Sequence, residues 1–305
     1  MRLMGAACLA VLAMHGASPQ RFRVTVEAVR VDVLVVDGKH TIGGLTAADF
    51  ELRDSGVIQE IESVAFEEAP LSVMLALDTS ASVQGLALTH LKQAASAVVD
   101  LLTPADRGAL LTFSGALRLS CEWTSDRRAL QSAIAHTEAE GATALHDAAY
   151  AALTLHDPEL GRALVLIFSD GVDTVSWLSG ARVVEIARRN EAVVYGVTLS
   201  SDGRRRPGYR LDFTSGIQAP IKDAPGATLL QPFLEGLAQD TGGKVMNTER
   251  SEQLREMFVQ IVKEFRSRYL LTYTPRGVDT AGWHPLEVKL KRRSASVTAR
   301  RGYLR

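Results

Sequence analysis

The sequence predicts an α/β fold: a doubly wound, mostly parallel sheet with helices on both faces, inserted between two shorter β segments. Two continuous apolar runs, Ala163 to Phe168 and Ala192 to Leu199, have the composition of strands buried on both faces of a parallel sheet. Helical periodicity is clearest in residues 254–265, where apolar residues recur at i, i+3, i+4 and i+7. Alternation of such strands and helices is typical of α/β domains.

The first residues of the chain predict an export signal, residues 1–18. Arg2 is followed by the apolar run Leu3 to Met14, which is too short to span a bilayer. Residues 16–18 have small side chains, as expected before a signal cleavage site. We therefore expect the signal to be removed and the mature protein to be secreted or periplasmic, with a lipoprotein anchored at Cys8 as a minor alternative.

The next segment, residues 19–68, has the pattern of short strands. Valines at every second position from 29 to 35 indicate a strand with one buried face. Asp37-Gly38 is a strong signal for a hairpin turn. Phe50 to Leu52 and Val57 to Ile61 are predicted as further strands of this N-terminal β segment.

Residues 69–268 are predicted as the α/β domain, because strand and helix patterns alternate there. Leu71 to Leu77 and Ala109 to Phe113 are its first predicted strands, with an apolar helical face between them. The Gly- and Pro-rich stretch Ser200 to Ala227 interrupts the alternation and is too long for an ordinary connection. We expect this stretch to be either a solvated loop or a partner-binding feature.

The last segment, residues 269–305, returns to strand patterns. Tyr269 to Thr274, Leu286 to Leu290 and Ala295 to Ala299 are predicted strands, and Gly282 to Pro285 is predicted as part of a loop. Neither end of the chain has enough strands for a stable sandwich of its own. We therefore expect the two ends to pair in one small β-sandwich-like domain, which the α/β domain interrupts.

Oxygen-bearing side chains follow the first strand of the α/β domain. Asp78, Ser80 and Ser82 occupy alternate positions in the turn that leaves this strand, where their side chains can converge on one point. Thr143 precedes a predicted helix, and Asp170 follows another buried strand. Since ligand sites in open parallel sheets lie at the carboxyl ends of strands, we expect Asp78 and Asp170 to face one crevice. Mg²⁺ prefers oxygen ligands in near-octahedral arrangement, so these five residues predict a metal site.

Each of these residues also has a simpler interpretation. Asp, Ser and Thr after a strand are common helix caps and turn formers, because they satisfy free backbone N–H groups. Capping is the default role for Ser82 and Thr143 taken singly, and it can coexist with metal binding. Asp173 could reinforce the negative field of the site, but a turn carboxylate is its favoured role.

The three segments resemble the metal-ion-dependent adhesion site of von Willebrand factor type A domains. The family pattern is Asp-x-Ser-x-Ser, then a Thr, then an Asp, and it matches here at Asp78, Ser80, Ser82, Thr143 and Asp170. The resemblance implies a Rossmann-like α/β fold and a bound Mg²⁺, or Mn²⁺ or Ca²⁺ in its place. It further implies that an acidic side chain of a partner protein completes the coordination. Ser80 and Ser82 would then coordinate directly, and the other three residues directly or through water.

The resemblance extends over residues 69–268, the predicted α/β domain. Two segments outside it, residues 44–50 and 299–303, resemble a secreted bacterial group of von Willebrand factor type A-related proteins. This narrower resemblance is consistent with the predicted export signal.

Composition argues against several classes of partner. The chain has 305 residues, is 46% hydrophobic and 23% charged, and carries a formal net charge of −1. A nearly neutral chain is not expected to bind nucleic acid or an anionic membrane through bulk charge. Once the export signal is removed, the sequence keeps one cysteine, Cys121, so neither an intramolecular disulfide nor a cysteine metal cluster is expected.

The sequence also lacks the usual signatures of catalysis. A haloacid-dehalogenase phosphatase would need a second Asp where this chain has Ser80, and no Gly-x-Ser-x-Gly elbow is present for a serine hydrolase. His136, His146 and His156 do not share one helical face, and no His-Glu-x-x-His zinc signature occurs. We therefore expect a binding module and not an enzyme. The alternative is a structural scaffold with a stabilising cation and no metal-mediated ligand, and a metal-dependent hydrolase is the least favoured function.

Overall fold

The computed structural model describes most of the chain after residue 27. The predicted export signal lies outside the described residues. So does most of the stretch Ser200 to Ala227, of which the structure describes Ser200 and two short strands that pair antiparallel. No helix among the described residues has both the length and the apolar character needed to cross a bilayer. The described residues are 28–38, 40–66, 69–156, 161–170, 172–200, 209–211, 218–220, 230–291 and 295–305.

Strands and helices alternate in the middle of the chain, and strands alone occur towards both ends. The strands are β1 (Val29–Asp37), β2 (His40–Thr41), β3 (Phe50–Asp54), β4 (Val57–Gln59), β5 (Ile61–Phe66), β6 (Leu71–Asp78), β7 (Arg107–Phe113), β8 (Leu117–Thr124), β9 (Arg162–Ser169), β10 (Val193–Leu199), β11 (Tyr209–Leu211), β12 (Gln218–Pro220), β13 (Val245–Thr248), β14 (Tyr269–Tyr273), β15 (Trp283–Leu290), β16 (Ser296–Thr298) and β17 (Gly302–Leu304). The α-helices are α1 (Leu86–Leu101), α2 (Arg127–Ala135), α3 (Leu145–Thr154), α4 (Gly180–Arg189), α5 (Leu230–Thr241) and α6 (Leu254–Arg266).

The central sheet has the strand order β13-β10-β9-β6-β7-β8. Its strands are parallel except β8, which returns antiparallel beside β7. Every residue of β6 and β9 is buried, because helices cover both faces of the sheet. Apolar residues of α1, α2 and α6 pack on one face, and those of α3, α4 and α5 pack on the other. The predicted α/β architecture of this segment is confirmed.

Strands from the two ends of the chain pair with each other. One sheet has the order β16-β1-β14-β5, and a second has the order β17-β15-β3-β4. Apolar residues of both sheets belong to one buried cluster. The last residue of β5, Phe66, is the pairing partner of the first residue of β14, Tyr269. The chain therefore leaves this sheet for the α/β domain and re-enters it at adjacent positions.

A buried group of hydrogen bonds connects the two terminal sheets. The carboxylate of Asp54, on β3, accepts the hydroxyl of Tyr273 at 2.9 Å and that of Tyr303 at 2.8 Å. The Nδ1 atom of His284 lies 3.0 Å from the other oxygen of the same carboxylate. These side chains link β14 of one sheet to β3, β15 and β17 of the other.

The predicted loop from Gly282 to Pro285 is wrong in part, because β15 begins at Trp283. Pro285 lies where the pairing of β15 changes from one neighbour to the other: it is opposite Gly302 of β17, and the next residue is opposite Asp54 of β3. A strand tolerates proline where no ladder hydrogen bond needs its missing N–H group. The carbonyl of Pro285 still accepts the N–H of Ser55 at 2.8 Å.

A buried ion pair joins the terminal sheets to the α/β domain. Arg162, the first residue of β9, donates from Nε to the carboxylate of Asp32 on β1 at 2.8 Å, and its Nη2 contacts the same oxygen. The same guanidinium reaches the carbonyl of Phe265, near the end of α6, at 3.2 Å. The terminal sheets therefore contact the α/β domain where β9 begins, away from the edge where β6 and β9 end.

Candidate metal centre

Asp78 forms the floor of the candidate metal centre. It is the last residue of β6, and its side chain is fully buried. One carboxylate oxygen accepts the backbone N–H of Ser80 at 2.9 Å, a turn that Asp forms readily with the residue two positions later. The other oxygen accepts the hydroxyl of Ser169, the last residue of β9, at 2.6 Å. The carboxylate is thus held between the ends of two adjacent parallel strands.

A chain of side-chain hydrogen bonds runs from this floor to the surface. The hydroxyls of Ser80 and Ser82 are 2.9 Å apart, and Ser82 donates to the carboxylate of Asp170 at 2.7 Å. Ser80 is buried, Asp170 is half-buried and Ser82 is exposed. Four of the five predicted ligands therefore lie together at the carboxyl ends of β6 and β9, which is where parallel sheets usually place their ligand sites.

Thr143, the fifth predicted ligand, is positioned by backbone hydrogen bonds. It is buried and lies two residues before α3. The carbonyl of Gly141 accepts the N–H of Ala81 at 3.0 Å, which joins the loop of Thr143 to the loop after Asp78. Thr174 both accepts the N–H of Thr143, at 3.0 Å, and donates to its carbonyl, at 3.2 Å. The structure thus brings all three predicted segments to one place.

Burial, with a smaller contribution from the negative charge of nearby Asp170, raises the pKa of Asp78 from 3.8 to about 6. Hydrogen bonds from Ser169 and Ser80 act in the opposite direction but do not offset burial. Above pH 6 the buried carboxylate of Asp78 therefore carries a negative charge that its hydroxyl and amide donors compensate only in part. A bound cation would compensate it.

The donor atoms fit a hard divalent cation. Two carboxylates and three hydroxyls are the oxygen ligands that Mg²⁺, Mn²⁺ and Ca²⁺ favour. In the part of the chain that the structure describes, no three His, Cys, Asp or Glu side chains form a group that could hold a metal ion. A cation here would thus depend on the hydroxyls of Ser80, Ser82 and Thr143 as well as on Asp78 and Asp170. When bound, it would supply positive charge and a coordination position for an incoming oxygen.

The carboxylate of Asp173 bonds to the start of α3 and its own loop. It accepts the backbone N–H of His146 at 3.2 Å and the hydroxyl of Ser176. The ring of His146 packs edge-on against Phe233, with centroids 4.4 Å apart. The hydrogen bonds of Asp173 agree with the turn role predicted for it.

Sequence reasoning missed two residues that shape the centre, Ser169 and Thr174. Ser169 directly precedes Asp170 at the end of β9, and a hydroxyl at that position could have been suspected from the alternation of side chains along the strand. Thr174 lies in a loop without periodicity, so no sequence signal identifies it.

Comparison with known proteins points to one family. Residues 73–172 match the family model of the von Willebrand factor type A domain, and all five predicted ligands lie within the matched segment. Among curated proteins, none matches the chain significantly.

Several solved structures align with this chain at low sequence identity. A von Willebrand factor type A protein from Catenulispora acidiphila aligns over 89% of this chain and 76% of its own length, with a TM-score of 0.53 and 12% identity. Proximal thread matrix protein 1 from the mussel byssus aligns over 76% of this chain and 50% of its own length, with a TM-score of 0.51 and 14% identity. An aerotolerance-related membrane protein from Bacteroides fragilis NCTC 9343 aligns over 64% of this chain and 99% of its own length, with a TM-score of 0.47 and 18% identity.

The first two similarities concern the fold alone, whereas the family model covers the segment that contains the candidate metal centre. The parallel sheet, the helices on both its faces and the matched segment agree with one another. The fold of the chain and the sequence of its residues 73–172 are therefore similar to those of von Willebrand factor type A domains.

Proposed function

We propose that the protein is a divalent-metal-dependent protein-binding module of the adhesion type. A cation, Mg²⁺ or in its place Mn²⁺ or Ca²⁺, is held by Asp78, Ser80, Ser82, Thr143 and Asp170. An Asp or Glu side chain of a partner protein then completes its coordination. The observation that carries this proposal is the hydrogen-bond chain from Asp78 through the two serines to Asp170, which collects oxygen ligands at one sheet edge.

The burial of the ligands supports access from one side. Asp78 and Ser80 are buried, whereas Ser82 is exposed and Asp170 is half-buried. A cation above the floor would thus be shielded from below and reachable by a carboxylate from solvent. Since Mg²⁺ usually retains water in several positions, an incoming carboxylate can replace one of these waters.

The connections between the loops favour binding over the scaffold alternative. The N–H of Ala81 bonds to Gly141 at 3.0 Å, and the N–H of Glu140 bonds to Thr79 at 2.8 Å. These bonds join the loops directly, as the bonds of Thr174 to Thr143 do. Because the protein already ties its own loops together, a cation is not needed for that purpose. We also propose that the protein acts after export, through the signal predicted at residues 1–18.

The metal part of this proposal is tested by thermal unfolding in Mg²⁺ and in EDTA. At a Mg²⁺ concentration about 100 times Kd, binding stabilises the folded state by about 2.7 kcal/mol, which raises Tm by roughly 5 to 10 °C. We expect Asp78→Ala to lose this shift and to remain folded. Glu140→Gln, which neutralises a carboxylate in the neighbouring loop, is the matched control and keeps the shift. Identical Tm values of the wild type in Mg²⁺ and EDTA would contradict metal binding.

The partner part is tested by selecting peptides from a random display library on the wild-type protein in Mg²⁺. We expect the selected peptides to contain Asp or Glu, and to lose binding in EDTA, with Asp170→Ala protein, or when the acid is changed to its amide. Binding that survives all three changes would instead favour a scaffold whose cation takes no ligand.

A further inference from the structure

The most exposed large hydrophobic side chains lie on segments that leave the metal centre. Among the residues that the structure describes, Trp177 is 96% exposed and Leu86 is 73% exposed, the two highest values for large hydrophobic residues. Trp177 lies seven positions after Asp170, and Leu86 lies four positions after Ser82. Burial of an indole side chain is strongly favourable, so an indole left in water is unusual. Clusters of exposed apolar residues usually mark interaction sites.

The segment of Trp177 carries two more apolar side chains. Val172 is 41% exposed and Val175 is 44% exposed, both between Asp170 and Trp177. We call Leu86, Val172, Val175 and Trp177 the apolar rim. A single exposed hydrophobic residue needs no explanation, but four of them on the two segments that follow ligands of one site do.

The backbone beneath Trp177 is held in place by the start of α3. The two carboxylate oxygens of Asp147 accept the N–H groups of Trp177 and Leu178, each at 2.9 Å. Three hydrogen bonds between Thr174 and Thr143 attach the same loop to a predicted ligand residue. Because the backbone is ordered before any partner arrives, binding to the indole would cost little conformational entropy.

We propose that the apolar rim binds hydrophobic side chains of the partner next to its acidic residue. This inference rests on the proposed function and narrows the partner to a protein segment in which an Asp or Glu has aromatic or aliphatic neighbours. The rim residues follow Ser82 and Asp170 within seven positions of the chain, so we infer that a segment with its carboxylate on the cation reaches Leu86 and Trp177. The carboxylate of the partner would coordinate the cation, and the apolar residues beside it would cover the apolar rim.

The test uses the peptides selected on the wild-type protein in Mg²⁺. We expect aromatic or aliphatic residues to be enriched beside the acid, and replacement of these neighbours by Ala to weaken binding. Trp177→Ala should raise Kd roughly 30-fold, the effect of losing one interface hot spot, and Leu86→Ala should raise it less. Both variants should keep the Tm shift of the wild type in Mg²⁺. Ile58→Ala is the matched control, because Ile58 is 59% exposed on β4 of the terminal sheets.

Each contrary outcome has a distinct meaning. Peptides that need Mg²⁺ and an acid but bind Trp177→Ala and Leu86→Ala as they bind the wild type would overturn the apolar rim and leave the proposed function standing. Peptides that need neither metal nor acid, or a selection that enriches none, would overturn both. Self-association of the wild type that is abolished by Trp177→Ala would assign the rim to a second copy of the chain and overturn the peptide proposal.

Discussion

At the scale of single residues, Asp78 has two opposed roles. Its full burial disfavours the ionised carboxylate, and hydrogen bonds from Ser80 and Ser169 compensate only in part. A buried carboxylate without sufficient compensation is costly for folding but well suited to bind a cation. In the metal-free protein, the ionised carboxylate of Asp78 should therefore lower the free energy of unfolding at neutral pH.

This burial predicts a pH dependence in EDTA. The pKa of Asp78 is raised from 3.8 to about 6, so the folded protein holds this proton more tightly than the unfolded chain does. The stabilisation is present in full below pH 3.8 and is lost as the pH rises through 6, by about 3 kcal/mol in the free energy of unfolding. Urea unfolding of the wild type and of Asp78→Asn from pH 4 to pH 7 measures it. A difference between the two proteins that does not change with pH would contradict this account.

The sequence predicted which residues meet but not all that hold them. The proximity of Asp78, Ser80, Ser82 and Asp170 could be predicted, because strand ends and the alternation of side chains can be recognised in the sequence. In the structure these residues form one hydrogen-bond chain. That these residues and Thr143 bind a cation stays a prediction.

At the scale of elements, the segment from Val172 to Ser179, which precedes α4, forms neither helix nor strand, yet side-chain hydrogen bonds hold its backbone. It has no helical or strand pattern, so its shape depends on side chains of α3 and not on local periodicity. Asp147 and Thr143 supply the acceptors and donors that fix it. Such tertiary hydrogen bonds cannot be predicted from spacing along the chain.

We expect Asp147→Ala to loosen this segment. Removal of the carboxylate leaves the N–H groups of Trp177 and Leu178 without their acceptor, which should cost about 1 to 3 kcal/mol. Hydrogen exchange of these two amides should become faster, while exchange in β6 and β9 stays slow. Asp100→Ala, which removes an exposed carboxylate of α1, is the control. Unchanged exchange at Trp177 and Leu178 would contradict the proposed role of Asp147.

Element boundaries show where sequence patterns fail. The buried strands β6, β9 and β10 were predicted because continuous apolar runs indicate burial on both faces. The early start of β15 was missed, because Gly282 to Pro285 has turn composition and only its pairing with β17 and β3 makes it extended. Pairing with strands that are distant in the sequence therefore determines the conformation here, against the local turn composition.

At the scale of the whole molecule, the ion pair of Asp32 and Arg162 connects the terminal sheets to the α/β domain. Both side chains are buried, with 8% and 3% of their area exposed. Asp32→Ala would leave a buried guanidinium without its counter-ion, which should lower the free energy of unfolding by about 3 to 5 kcal/mol. Urea unfolding measures the loss, and the double variant Asp32→Ala, Arg162→Met should recover much of it.

The control for this buried pair is a solvent-exposed ion pair on the surface of the same protein. Arg182 and Glu185 are 2.7 Å apart on α4, with 70% and 42% of their side chains exposed. Glu185→Ala should change stability by less than about 1 kcal/mol. A loss of similar size for Asp32→Ala would show that the junction is not held by this pair.

The α/β domain and the terminal sheets could be predicted from the sequence to different degrees. The alternation of strands and helices was sufficient to predict the α/β domain. Periodicity cannot give the register between segments far apart in sequence, such as β1 and β14, in which Val31 is opposite Leu271. The ion pair of Asp32 and Arg162 likewise joins residues that no local pattern relates.

The adjacency of Phe66 and Tyr269 has a mechanical consequence. Because these residues are paired neighbours on β5 and β14, the α/β domain occupies the place of a hairpin loop. β9 has eight residues, so at about 3.3 Å per residue the candidate metal centre lies roughly 23 Å from the ion pair at the start of that strand. Tension from a partner bound at the centre would reach both strands at the same end. It would therefore load the hydrogen bonds between β5 and β14 one after another from that end and would not shear the two strands past each other.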